Sequence, residues 1–210
     1  SVLMQKVNFT WELIIADDYS TDGTRQIILE YKRKYPKEIR LVLQKRNVGP
    51  GKNWEDLLLA SKSKYIAYFE GDDYWTDPLK LQKQIDFLEN NNECGVVFTD
   101  TDYFYERNGK RIKSFDKKNN LEIPTGNVTN RILYKSLYKT CTVVFQRPNL
   151  KDFFELMSSE RLLVGDKALW LYLSGLTEFG YLDQSTAVRR VLNDSGSNFK
   201  SFQSNLKFRQ

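Results

Sequence analysis

The chain has 210 residues, 40% of them hydrophobic and 14% aromatic, enough apolar side chains for one core of ordinary size. Its charged fraction of 28% and mean hydropathy of -0.56, with no apolar run near the roughly 20 residues a spanning helix needs, argue against a membrane span in this chain and predict a soluble domain. The net charge of +5 is spread along the chain instead of gathered in one block, which argues against a nucleic-acid module.

Ser1 to Gln5 has neither the charged start nor the apolar centre of a signal peptide and reads as the end of a helix already under way, so residues upstream are expected. Trp11 to Ala16 is a short apolar run stopping at Asp17 and Asp18, the pattern of a buried strand. Ser20, Thr21 and Asp22 offer N-cap chemistry, and Ile27, Ile28, Tyr31 and Tyr35 recur at helical spacing until Pro36. The alternation continues as a strand over Arg40 to Gln44, a helix over Asn53 to Ser61, a strand over Tyr65 to Phe69, a helix over Pro78 to Asn90 and a strand over Gly95 to Thr99. Such alternation predicts a mostly parallel sheet covered by helices on both faces.

After Asp100 the rhythm changes to a hairpin around Asn108-Gly109 and a polar stretch from Lys117 to Asn120. This break divides the chain into residues 1–102 and 103–195, with 196–210, rich in Ser, Asn and Lys, as a tail or lid. The second part holds a helix through Ile132 and Leu133, a strand over Cys141 to Gln146, a helix over Leu150 to Met157, a helix opening at Asp166 and a strand near Phe179 to Leu182. Cys94 and Cys141 show neither metal-ligand spacing nor a disulfide framework, so they read as small core residues of a reducing compartment such as the cytoplasm.

The chain contains no histidine, which removes Ser/His/Asp and Cys/His triads, histidine zinc sites and imidazole acid–base chemistry together. Catalysis therefore has to rest on carboxylates. In an open parallel sheet, ligands bind beyond the carboxyl ends of the strands. Asp17 and Asp18 follow the first predicted strand, Glu70-Gly71-Asp72-Asp73 the third, and Asp100 and Asp102 the fourth, so these acids are expected to converge on one edge. Like charges gathered there repel one another unless a divalent cation or a donor-rich ligand compensates. Carboxylates suit Mg²⁺ or Mn²⁺, which take one or two of them and complete their shells with water and substrate phosphates. A metal-bridged diphosphate is the expected occupant. The plain alternative is that such acids cap the following helices, as Asp22 and Asp77 are placed to do.

Four separated segments, Leu13 to Thr24, Asn47 to Asn53, Tyr65 to Trp75 and Val164 to Trp170, resemble motifs of the bacterial family 2 glycosyltransferases, and the resemblance covers residues 1–195. It implies the A-type glycosyltransferase fold, α/β with a Rossmann-like mixed, mostly parallel sheet between helices, here without the family's opening strand. Asp18 would contact the donor's base, with Asp17 and Ser20 in the same motif and Lys52 and Gly71 also on the donor side. Asp72 would hold the metal, Mn²⁺ or Mg²⁺, supported by Glu70, which replaces the family's first Asp, and by Asp73. Asp166 would be the catalytic base. Many relatives place a histidine near Arg189 to Asn193; this chain has none, so water, diphosphate or Asn193 is expected to complete the metal's shell.

The resemblance implies inverting transfer from a nucleoside-diphosphate sugar, most commonly a UDP-sugar, to a saccharide or lipid-linked saccharide. It further implies surface polysaccharide or lipopolysaccharide assembly in the bacterial cytoplasm, with peripheral association at the inner face of the membrane. Two other readings are weighed beside it. One is a non-catalytic nucleotide- or glycan-binding relative, suggested by Glu70 and the missing strand. The other is a basic nucleic-acid module built on Lys32, Arg33, Lys34 and Lys37, residues that sit more simply on the solvent side of an amphipathic helix. Tyr103, Tyr105, Trp170 and Tyr172 either stack on sugar rings or pack in the core.

Overall fold

The computed structural model describes residues 1–134, 138–159 and 165–192. In chain order its elements are β1 (Leu13–Asp17), α1 (Thr24–Lys34), β2 (Ile39–Leu43), α2 (Pro50–Ala60), β3 (Tyr65–Ala67), β4 (Tyr74–Trp75), α3 (Lys80–Asn90), β5 (Cys94–Tyr105), β6 (Lys110–Ile112), α4 (Phe115–Lys118), α5 (Thr129–Tyr134), β7 (Val144–Gln146), α6 (Leu150–Ser159), α7 (Asp166–Ser174) and β8 (Glu178–Val191). Short 3-10 turns cover Val2–Met4 and Thr140–Thr142. The chain separates into a smaller unit, Val7–Ile66 with Arg147–Gly165, and a larger one, Ser1–Lys6 with Ala67–Gln146 and the chain from Asp166 onward. The expected tail or lid over 196–210 lies outside the described residues, as do Val164 and Asn193.

In the smaller unit β1 and β2 pair in parallel, Leu13 opposite Ile39 through Asp17 opposite Leu43, with α1 as the crossover that parallel pairing requires. The predicted cap of α1 is corrected by one detail. The residue at its N-cap is Gly23, at φ 94, while the Asp22 carboxylate accepts the Thr24 N–H at 3.1 Å just ahead of the helix. The left-handed backbone is open to glycine at no steric cost, so the acid acts in the turn and the glycine caps. Likewise α2 starts earlier than expected, because Gly49 at φ 86 turns the chain and Pro50 opens the helix, where a missing N–H and a fixed φ cost nothing. Trp54 of α2 packs edge-on against Phe153 and Phe154 of α6, at 6.2 and 5.7 Å. Lys32 donates from Nζ to the carbonyls of Pro36 and Ile39, satisfying acceptors beyond the end of α1.

The sheet of the larger unit runs β7-β5-β8-β4, with β6 also paired to β5. β5 and β8 are parallel along most of their lengths; β7 is antiparallel to β5 and β4 antiparallel to β8. The hairpin expected at Asn108-Gly109 joins β5 to β6, with Tyr103 opposite Ile112. The aromatic residues weighed as sugar platforms include two core residues: Trp170 meets Phe145 edge-on at 5.7 Å and Tyr103 stacks on Phe115 at 3.8 Å, both buried.

β5 and β8 are far longer than the apolar runs that announced them, 12 and 14 residues. The polar residues that looked like the end of β5 are interior ones with partners. The Thr99 and Thr186 hydroxyls meet at 2.7 Å, and the Thr101 hydroxyl donates to the Ala187 carbonyl at 2.9 Å. Asp100 and Asp102 thus do not follow a strand as expected. Asp100 accepts the N–H groups of Thr101 and Asp116 at 2.7 and 3.1 Å. Asp102 accepts from Arg111 Nε and Nη2 at 3.0 and 2.8 Å, from the Ser114 N–H at 3.0 Å and from the Ser185 hydroxyl at 2.6 Å. Both acids are spent on holding the segment that leads into α4.

Burial alone would raise the Asp102 pKa, but Ser185, Ser114 and Arg111 outweigh it and hold the carboxyl below its ordinary value of 3.8. Its stabilising contribution is therefore complete above that unfolded value and fades as pH falls through the lower folded one. Asp102→Ala is expected to cost about 1–3 kcal/mol at neutral pH, since buried donors lose their acceptor. Urea unfolding at pH 7 and near pH 3 measures this, the difference between variant and parent shrinking at the lower pH.

The strand expected over Cys141 to Gln146 is instead a 3-10 turn at Thr140–Thr142 followed by the short β7. Trp75 Nε1 donates to the Cys141 carbonyl at 3.0 Å and Gln84 Nε2 to the Thr142 carbonyl at 2.8 Å. These side chains take acceptors that a sheet ladder would otherwise use.

Candidate active site

Each unit carries one acidic loop. In the smaller unit β1 delivers Asp17, 3% exposed, to Arg25, whose Nη2 stands 2.5 Å from Oδ2. Arg25 also donates to the Gln44 carbonyl at 2.8 Å, so the guanidinium ties the ends of β1 and β2 to α1. Burial pushes the Asp17 carboxyl up, but hydrogen bonds from Ser20 and Arg25 and the Arg25 charge more than offset it and leave the pKa lowered. Asp18 accepts the N–H groups of Val48 and Gly49 at 2.7 and 3.0 Å, which fixes its carboxylate and the turn before α2 together. Directly after them Tyr19 has φ 63, a left-handed conformation rare for a bulky residue, with the Arg25 guanidinium 5.2 Å from its ring. Ser20 gives its N–H to Asp17 at 3.3 Å. Lys52 lies exposed on α2, paired with Glu55 and Asp56 at 3.2 and 2.9 Å.

In the larger unit the Glu70 to Asp73 turn lies between β3 and β4, closed by the Asp73 N–H donating to the Glu70 carbonyl at 3.2 Å. Gly71 sits at its exposed tip, with open space where a Cβ would project. Glu70 accepts the Thr140 hydroxyl and, at 3.4 Å, the Tyr68 hydroxyl. Asp73 accepts the Arg190 N–H at 2.9 Å and the Cys141 thiol. Asp72, between them, is half-exposed. Asp166 is the first residue of α7, where its carboxylate accepts the Lys167 N–H at 2.7 Å; a negative charge is favoured at a helix start.

Electrostatics groups these four acids. Burial raises the pKa of Glu70, against the hydrogen bond from Thr140, and the charges of Asp73 and Asp166 raise it further. Burial likewise raises Asp73, with Asp72 adding to the rise while Arg190, Cys141 and Arg189 oppose it. Burial raises Asp166, opposed by the Lys167 N–H and by Arg189. The Tyr68 hydroxyl is pushed up by burial first and then by Glu70, Asp166 and Asp72. A cluster of carboxylates, three of them held above their ordinary range, is the electrostatic mark of a site that awaits a cation or a proton-transfer partner.

Of the acids expected on one edge, the structure brings together Glu70, Asp72 and Asp73, and sets Asp166, the residue the resemblance names as base, near them; Asp17 and Asp18 belong to the smaller unit, and Asp100 and Asp102 lie within β5. Sequence reasoning missed three neighbours. Thr140 and Cys141, the latter read only as a small core residue, turn a hydroxyl and a thiol to the acidic turn. Arg189, held by the Tyr103 hydroxyl at 3.0 Å and stacked over its ring at 5.4 Å, sends positive charge to Asp73 and Asp166. Its signal was present as the Arg189-Arg190 pair, read only as a place lacking histidine.

Among the described residues no three acidic or cysteine side chains converge closely enough to chelate a metal by themselves. Glu70 and Asp73 are engaged by protein donors, whereas Asp72 is half-exposed beside them. That donor set suits a cation of the Mg²⁺ or Mn²⁺ kind, which uses one or two carboxylates and leaves its other positions to water and phosphate.

A mixed α/β fold with an acidic turn between two strands and an Asp at the start of a later helix is the A-type glycosyltransferase arrangement. The chain belongs to glycosyl transferase family 2, whose sequence model matches residues 1–151. An uncharacterized protein of Mycobacterium tuberculosis is 38% identical over 151 residues, covering 70% of this chain and 42% of its own length. The Escherichia coli enzyme WfaP, a UDP-Glc:alpha-D-GlcNAc-diphosphoundecaprenol beta-1,3-glucosyltransferase, is 31% identical over 170 residues, 76% of this chain and 57% of its own. The chain thus spans about half the length of these curated relatives. The fold is shared with the mannosyltransferase PcManGT of Pyrobaculum calidifontis, solved with GDP-Man and Mn²⁺, at a TM-score of 0.61 and 15% identity over 92% of this chain and 52% of that one.

Proposed function

We propose that this chain provides the catalytic centre of a metal-dependent, inverting glycosyltransferase that moves a sugar from a nucleoside diphosphate, most simply UDP, to an acceptor hydroxyl. The observation that carries the reading is the group of Glu70, Asp72, Asp73 and Asp166 in one unit, close enough that the charges of Asp73 and Asp166 bear on Glu70 and that of Asp72 on Asp73. Asp72 would hold the divalent cation, with Glu70 and Asp73 shaping the turn around it and Gly71 leaving the approach open. When bound, the cation supplies charge neutralisation for the leaving diphosphate. Asp166 accepts the proton of the acceptor hydroxyl while that oxygen attacks the anomeric carbon, and the nucleoside diphosphate departs from the opposite face.

In the smaller unit Asp18, fixed by two backbone N–H groups, contacts the donor's base within the motif of Asp17 and Ser20. Lys52 lies on the donor side, exchanging its intrahelical acids for phosphate charge. Residues 1–102 would serve the donor and 103–195 the acceptor. A saccharide or lipid-linked saccharide acceptor in bacterial surface polysaccharide assembly, handled on the cytoplasmic side with peripheral membrane contact, agrees with the name of the E. coli relative. No helix among the described residues is long and apolar enough to cross a membrane.

A thermal-shift screen of nucleoside-diphosphate sugars with and without Mn²⁺ tests the reading. A shift that needs both metal and one donor supports it, and none with any donor sinks it. One observation favours a second reading, a nucleotide- or glycan-binding relative without turnover: three of the four acids, Glu70, Asp73 and Asp166, are already engaged by protein donors. Release of free sugar from the bound donor in the presence of Mn²⁺ excludes that alternative.

A further inference from the structure

Lys80 is a charged side chain that neither the fold nor the proposed reaction has used. It is the first residue of α3 and is 0% exposed, although a cation at a helix start opposes the helix dipole and a buried one is costly. Its Nζ meets an aromatic face and neutral oxygens instead of a carboxylate. The ammonium lies 4.7 Å from the centre of the Trp75 ring and donates to Gln84 Oε1 at 2.5 Å and to the Thr142 carbonyl at 3.4 Å. Asp77, the acid that influences it, is paired to Lys83 at 2.8 Å. Burial lowers the pKa of Lys80 to about 7.

The groups around Lys80 converge on one short segment. Gln84, also 0% exposed, donates from Nε2 to the same Thr142 carbonyl at 2.8 Å and to the Val97 carbonyl at 3.0 Å. Trp75, pressed between Lys80 and Phe69, whose ring centre is 4.9 Å away, donates to the Cys141 carbonyl at 3.0 Å. Two successive carbonyls of the Thr140–Thr142 turn are therefore gripped from beneath, while its side chains reach the acids: the Thr140 hydroxyl to Glu70 and the Cys141 thiol to Asp73.

We propose that Lys80 and Gln84 form a buried clamp on the Thr142 carbonyl that aims the Thr140–Thr142 turn at Glu70 and Asp73, which makes Lys80 a positioning residue for the acidic turn. Its bearing on catalysis rests on reading that turn as the site of the donor diphosphate; the clamp itself does not.

Cys141 gives a direct readout, because its thiol is covered only while the turn is seated. In the full chain carrying Cys94→Ser, labelling of Cys141 by a small disulfide reagent under native conditions reports opening of the turn. Lys80→Met, which keeps the length and apolar stem, is expected to speed labelling about tenfold, the order that losing a buried hydrogen bond allows. The thermal midpoint falls only modestly, because Gln84 Oε1 loses its donor while the cost of burying the charge is removed at the same time. The acceleration is expected to be nearly independent of low urea, as for a local opening. Gln84→Met, which removes the second donor to the same carbonyl, accelerates labelling as well and decides the matter if Lys80→Met does not fold.

Unchanged labelling overturns the clamp. So does acceleration that rises steeply with urea alongside a sharply fallen midpoint, the mark of a residue that only stabilises the fold. Mn²⁺-dependent binding of UDP-sugar by the parent protein is measured separately. Its absence would remove the functional reading while leaving the labelling result to stand or fall alone.

Discussion

Replacing Asp166 by asparagine is expected to leave donor binding intact and to slow sugar transfer by about 10²- to 10⁴-fold, the range that positioned general-base help contributes. The side chain sits at the first position of α7, where Asn retains the size and can still accept the Lys167 N–H, so the helix start survives and the proton acceptor is lost. The pH profile gives a second reading. Burial, which outweighs the Lys167 N–H and the Arg189 charge, holds the Asp166 pKa above its ordinary 3.8. A base must be deprotonated, so kcat/KM falls as pH drops through this raised value, and the acid limb lies higher than for an exposed Asp. The limb disappears in Asp166→Asn. Arg189→Gln, which removes a charge that favours the carboxylate, moves it further up. Undiminished turnover in Asp166→Asn would take this residue out of the role.

The second large effect belongs to Asp72. Asp72→Ala is expected to weaken Mn²⁺-dependent binding of the donor by more than about 100-fold, since even partners that only orient a metal ligand are worth 10- to 100-fold. Calorimetry with and without Mn²⁺ separates this loss from any metal-independent binding of the nucleotide. Stability should change little, because Asp72 is half-exposed and its charge adds to the electrostatic cost of Asp73. Asp73→Ala behaves differently. It leaves the Arg190 N–H and the Cys141 thiol without their acceptor, and a lowered thermal midpoint accompanies whatever it does to binding. Equal metal-dependent binding in Asp72→Ala and the parent would refute the assignment of Asp72.

Arg189 and Lys80 show two ways of dealing with positive charge near carboxylates. Arg189 has an aromatic ring and a hydroxyl to hold it, and its field reaches Asp73 and Asp166. Lys80 donates to an amide oxygen and a main-chain carbonyl instead of a carboxylate. A planar, always-charged guanidinium suits the first place and a compact ammonium whose pKa yields to burial suits the second, so exchanging Lys for Arg at either position is not a conservative change.

Much of this protein could be read along the chain. Strand and helix alternate because apolar residues repeat with the periods of each, and acids after apolar runs announced Asp17, Asp18 and the turn from Glu70 to Asp73; the matching motifs placed the chain in its family. Which acids share a site was decided by tertiary structure. As an acid after an apolar run Asp102 looked like Asp72, yet Ser185, 83 positions away, is one of the donors that claim it. The lengths of β5 and β8 were hidden in the same way, since Thr99 and Thr101 look like a strand's end until Thr186 and Ala187 stand opposite them. A local pattern records what each residue prefers to bury or cap. It holds no record of the donor that meets a carboxylate from 117 positions away, as the Arg190 N–H meets Asp73, and that meeting separates an acid spent on the fold from one left for chemistry.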